Sequence, residues 1–102
     1  MFDYTGRIVR AEAGRDTGGI FCVIGVDQEK FRLLLADGKR RKVGHPKEKK
    51  LGHVQFLTST KTQYDHPAIQ KLKQGEPVSD RELRRALAAF KEGITLGERR
   101  YD

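Results

Sequence analysis

Gly6-Arg7-Ile8-Val9-Arg10-Ala11, a glycine-rich interruption running from Gly14 through Gly18 and Gly19, then Ile20-Phe21-Cys22-Val23-Ile24-Gly25-Val26: this stretch decides the fold. Two β-branched runs flank the glycines, so both read as strands, and the second, apolar at nearly every position, reads as buried on both faces. Phe31, Leu33 and Leu35 alternate with Arg32 and Leu34 in a third run. It ends at Asp37-Gly38, a dipeptide favoured at the centre of a type I′ hairpin because both residues tolerate positive φ. Residues 39–43 are therefore expected to return antiparallel to it, residues 45–50 to form an exposed loop, and residues 53–58 to alternate again with Val54 and Phe56 on one face. Phe21, Phe31 and Phe56 are expected in the core. Phe2, Tyr4 and Tyr64 are expected as exposed rings. Five short strands with no helix between them predict a small antiparallel β-barrel rather than a sandwich.

The pattern changes after residue 60, which divides the chain into a mainly β part, 1–60, and a helical extension, 61–102. Asp65-His66-Pro67 predicts a helix start, because the missing N–H of proline costs nothing at the first helical position. That helix is expected over about 67–74, stopped by Gly75. Ser79 and Glu82 form a capping box for a second helix over about 80–92, with Val78 and Leu83 at the staple positions and Gly93 as the stop. Leu83, Ala86, Leu87 and Phe90 make an apolar stripe at helical spacing. It is expected to pack on Ile69 and Leu72 or on the sheet, with a partner-binding groove as the alternative.

Composition narrows the function. The chain has 102 residues, a net charge of +7 and a single cysteine. No apolar run approaches the roughly 18–20 residues that cross a bilayer, and Asp3 and Tyr4 do not open a secretion signal, so a soluble cytoplasmic protein is expected, with no membrane partner. Cys22 alone excludes an internal disulfide, and it falls in the most apolar strand, where a thiol is packing rather than a nucleophile. His45, His53 and His66 are scattered and lack cysteines or acids at ligand spacing. The reading is therefore non-enzymatic, with no metal, cofactor or small-molecule substrate.

The positive charge is focused. Lys39, Arg40, Arg41, Lys42, Lys47, Lys49 and Lys50 face one acid, Glu48, within residues 39–50, and a focused charge attracts phosphates where a diffuse one mainly aids solubility. Arginines suit RNA because a planar guanidinium serves both phosphates and base edges. Gly14, Gly18 and Gly19 allow a tight loop that a sugar-phosphate chain can approach, and Asp16 is placed to hold Arg15 or to cap the turn.

The run from Gly6 to Ile24, with Ala-Gly-Arg-Asp between its two strands, is followed by Ala36-Asp37-Gly38-Lys39-Arg40-Arg41-Lys42-Val43 and by Pro46-Lys47-Glu48-Lys49-Lys50. Together they resemble the KOW motif, a strand, glycine loop and strand found in ribosomal proteins and transcription elongation factors. Over residues 5–58 the chain is similar to the KOW family of archaeal and eukaryotic-type large-subunit ribosomal proteins and their bacterial relatives. The resemblance implies an SH3-like barrel that binds ribosomal RNA. It assigns loop roles to Gly14, Arg15, Asp16 and Gly18, and phosphate contacts to Arg40, Arg41, Lys42, Lys47, Lys49 and Lys50. Few exposed rings favour recognition of folded RNA by shape and backbone. A protein-interaction module docking on ribosomal or transcription proteins is the alternative. DNA binding ranks third, because no recognition helix carries the charge.

Overall fold

The computed structural model describes residues 1–59 and 64–100 of the chain, so the division expected at residue 60 lies outside the described residues. Five strands, β1 (Ile8–Ala11), β2 (Ile20–Asp27), β3 (Arg32–Ala36), β4 (Lys47–Lys50) and β5 (Val54–Phe56), are followed by helices α1 (Pro67–Lys73) and α2 (Asp80–Arg100). Every strand pair is antiparallel, and the sheet order is β4-β3-β2-β1-β5. The fold is thus mainly β with a helical extension, as the sequence predicts. The hydrogen-bonded ladder is not closed: β4 and β5 are its two edges, joined by a 3-10 turn at Leu51–His53.

The sheet has two buried faces. On one, Val9, Ala11, Phe21, Val23, Leu33 and Leu35 form the core inside the curved sheet. On the other, Ile8, Cys22 and Ala36 meet Ala68 and Ile69 of α1 and Leu83, Ala86 and Leu87 of α2. Adjacent residues of β1 and β2 therefore serve different cores, which explains why residues 20–26 are apolar without alternation. A bulge between Val23 and Gly25 absorbs one residue, so that Val23 opposes Leu35 and Val26 opposes Leu33. Leu83 and Leu87 are essentially fully buried, each stabilising by about 1.5–3 kcal/mol, so the apolar stripe of α2 is core rather than a partner groove.

The helix ends follow from local chemistry with one exception. His66 caps α1, its Nδ1 accepting from the Ala68 N–H at 3.1 Å, and Gly75 leaves the helix at φ 77°. Ser79 Oγ accepts from the Glu82 N–H and Glu82 accepts from the Ser79 N–H, the reciprocal pairing of a capping box. Lys71 and the Ser79 amide hold the Glu82 carboxyl below its ordinary range. The exception is Gly93, which does not stop α2: the helix continues to Arg100. An isolated glycine costs a helix only about 1 kcal/mol, too little to end one that is anchored by its buried face.

Three further expectations are corrected. The strand returning beside β3 is Lys47–Lys50, not residues 39–43, which belong to the intervening loop. Charged side chains suit this edge, because they oppose pairing with another chain. Neither Tyr4 nor Tyr64 is an exposed ring: Tyr4 is half-buried against Phe56, and Tyr64 is half-buried, its hydroxyl donating to Ala86 O at 2.9 Å and its ring packing edge-on against Phe90, so that it is tied to α2. Burial pushes its pKa up. Phe31 is not core but 60% exposed, at the tip of the β2–β3 turn with φ 54°. A bulky residue in the left-handed region carries a strain of about 1–2 kcal/mol. A Phe31→Gly variant is accordingly expected to gain about 1 kcal/mol in urea denaturation, with no loss of core packing.

Candidate nucleic-acid interface

The loop between β1 and β2 is closed by its own backbone. Gly18 donates its N–H to Ala11 O at 2.7 Å and Gly19 to Asp16 O at 2.8 Å, while the Thr17 N–H and hydroxyl both bond to Gly14 O. Gly14 and Gly18 have φ of 85° and 87°, the turns on which this closure depends. Arg15 is exposed on the loop, whereas Asp16 is 6% exposed and turned inward.

Asp16 does not hold Arg15. Its Oδ2 accepts from Arg41 Nη2 at 2.9 Å and from Arg41 Nε at 3.2 Å, which ties the glycine loop to the basic segment across 25 residues. Both guanidinium nitrogens reach one carboxylate, and charge-assisted bonds of this kind are stronger than neutral ones. Arg41 is in turn fixed by its backbone. Its N–H donates to Asp37 Oδ1, which also accepts from Lys39 N–H, and its carbonyl accepts from the N–H groups of Asp37 and Gly38. Lys39 and Arg40 are left exposed at the tip of this closed turn.

The turn is braced by α2. Asp80 Oδ1 accepts from the Val43 N–H at 2.7 Å, and Arg84 Nη1 donates to Gly38 O at 2.8 Å. A β-carbon on Gly38 would lie 2.2 Å from Asp80 O, so the helix approaches the turn as closely as glycine permits. The helical extension therefore does more than cover the outer core: it sets the position of the basic turn.

The remaining basic residues separate. Lys49 opposes Leu33 on β3, and it is only 7% exposed, its stem lying on the inner-core side of the sheet. Its Nζ would be 2.8 Å from a β-carbon at Gly14, so Lys49 supports the glycine loop from within. Lys47 opposes Leu35 on the same face and is half-buried. Glu48 and Lys50 point to the opposite face, where Lys50 stands across from Arg32 and Glu48 pairs with Lys30. Lys42 is exposed in the loop. The seven cations of residues 39–50 are thus not one patch, because strand alternation divides Lys47 and Lys49 from Lys50.

What the fold does assemble is a groove between the glycine loop and the basic turn, lined by Thr17, Gly18, Gly19, Lys39, Arg40 and, from α2, Lys91. Lys91 lies 41 positions beyond the basic segment's last lysine, Lys50, and no spacing in the sequence connects them. Its only local signal is an exposed position on the flank of a helix whose apolar stripe is well defined.

Burial pushes the Cys22 thiol up to about 12, against a smaller lowering by Lys73, which keeps it protonated and inert. Among the described residues, no group of three His, Cys, Asp or Glu side chains is gathered as a metal site requires. No described helix is long and apolar enough to cross a membrane. No protein-family model matches the chain, and no curated protein matches it.

Proposed function

We propose that this is a non-catalytic RNA-binding protein of the cytoplasm, associated with ribosomes and gripping structured ribosomal RNA between its glycine loop and its basic turn. The observation that carries the reading is the Asp16–Arg41 ion pair, which joins two segments of complementary use into one rigid cationic rim. Arg15, Lys39, Arg40 and Lys42 stand exposed on that rim, while the glycines at its floor let a phosphate chain come close. The KOW-like order of glycine loop, Asp-Gly turn and basic strand agrees with this use.

Binding through about six phosphates gives a log-log salt slope on the order of −4 to −5. Filter binding to ribosomal RNA across a salt series is the measurement. A flat response, or no binding near physiological salt, sinks the proposal.

A second reading, docking on a ribosomal or transcription protein, draws on the other end of the sheet. Phe31 immediately precedes Arg32 and Leu51 immediately follows Lys50, the pair that ends the β3–β4 ladder, and both side chains are exposed. Phe2, 61% exposed, joins that end through two hydrogen bonds between Met1 and Gln28.

A further inference from the structure

We infer that the RNA path does not end at the basic turn but continues onto the flank of α2 formed by Arg84, Ala88 and Lys91, making the helical extension a second wall of the interface. The inference rests on the RNA-binding reading above and extends it to residues that neither the charge run nor the KOW resemblance touches.

Two neighbouring concavities carry the argument. The first is the groove between the glycine loop and the basic turn; the second lies between that turn and α2, lined by Arg84, Leu87, Ala88 and Lys91. They share Asp37, Lys39 and Lys91, so they form one continuous strip. Lys39 and Lys91 line both, Arg40 the first and Arg84 the second, and the small residues Gly18, Gly19 and Ala88 line the strip beside them. Positions 84, 88 and 91 follow one flank of a helix, apart from the buried stripe of Leu83, Ala86 and Leu87.

The chemistry of the strip selects its ligand. Asp37, the acid within it, accepts the N–H groups of Lys39 and Arg41, so its negative charge is engaged by the turn itself. Arg84 uses one of its five N–H donors on Gly38 O. No exposed ring lines the strip, since Phe21 is 1% exposed, and stacking on bases is therefore not available. Cations contributed by the turn and by α2, with small residues beside them, suit the sugar-phosphate backbone of one strand of folded RNA, without sequence selectivity. The contacts between α2 and the turn hold both in place before RNA arrives, which lowers the ordering cost of binding.

Two single substitutions one residue apart test this in the full chain. Ala88 lines the strip and Ala89 does not, yet both are exposed on α2, so Ala88→Glu and Ala89→Glu change the net charge and the helix equally. With ribosomal RNA as the probe, Ala88→Glu is expected to weaken binding on the order of tenfold and Ala89→Glu less than about twofold. Lys91→Gln, which does not depend on tolerance of a new acid, is expected to lower the magnitude of the salt slope by about 1. Equal weakening by the two glutamates means only net charge matters and overturns the path. Unchanged binding in both Ala88→Glu and Lys91→Gln, while Arg40→Glu still weakens it, confines the interface to the loop and turn and overturns the inference alone. Absence of RNA binding by the unsubstituted protein overturns the functional reading and this inference together.

Discussion

Gly38→Ala is expected to cost about 3 kcal/mol or more, a large part of the stability of a domain of this size, measured as a fall in the urea midpoint. Two independent penalties act at this position. Its φ of 77° is left-handed, and its β-carbon would meet Asp80 O at 2.2 Å, a backbone atom that cannot move without shifting the start of α2. Relief of the clash would pull Asp80 from Val43 N–H and Arg84 from Gly38 O, releasing the basic turn from the helix. Gly44 supplies the control within the same loop. Nothing lies within 4 Å of its β-carbon position and its φ is not left-handed, so Gly44→Ala is expected to change stability by less than about 1 kcal/mol, with a gain from the stiffer unfolded chain. Equal stability of the two variants would refute the close packing of α2 on the turn.

The largest effect on binding is expected from reversing Arg15, Lys39 and Arg40 together to glutamate. All three are exposed, so the melting temperature is expected to hold while affinity for ribosomal RNA falls on the order of a hundredfold or more and the salt slope shrinks by about 2–3. The choice of residues is a structural result. Arg41 and Lys49 belong to the same basic run, but Arg41→Glu would set a second carboxylate against Asp16, and Lys49→Glu would bury an acid beneath the glycine loop. Either change attacks the fold, and a binding loss would then say nothing about RNA contact. RNA affinity that survives the triple reversal refutes the assigned interface. If a pull-down of ribosomal or transcription proteins then depends on Phe2, Phe31 and Leu51, the docking reading takes its place.

Much of the architecture was legible because its signals are local. The β-branched runs on either side of the glycines became β1 and β2, Pro67 opens α1, and Ser79 with Glu82 caps the second helix. Asp37-Gly38 marked a turn, but the two residues do not make a two-residue hairpin. Asp37 instead caps the N–H groups of Lys39 and Arg41, and Gly38 is placed by a helix whose contact residue Arg84 lies 46 positions away. The returning strand consequently begins at Lys47, in a stretch without apolar alternation, because Leu33 and Leu35 need only the aliphatic stems of Lys49 and Lys47 opposite them.

The candidate site divides the same way. By itself the sequence determined that the chain is mainly β with a helical end, that a glycine loop follows the first strand, and that the positive charge concentrates in residues 39–50. These are properties of backbone period, turn chemistry and residue count, which neighbours along the chain control. Tertiary structure alone decided which of these cations stand exposed and which are taken into the fold. It turned Asp16 toward Arg41, sank Lys49 beneath Gly14, sent Lys50 to the other face and brought Lys91 alongside Lys39. The physical reason is that a charge acts on whatever lies within a few ångströms of it, and that neighbourhood is set by the path of the folded chain rather than by distance along the sequence.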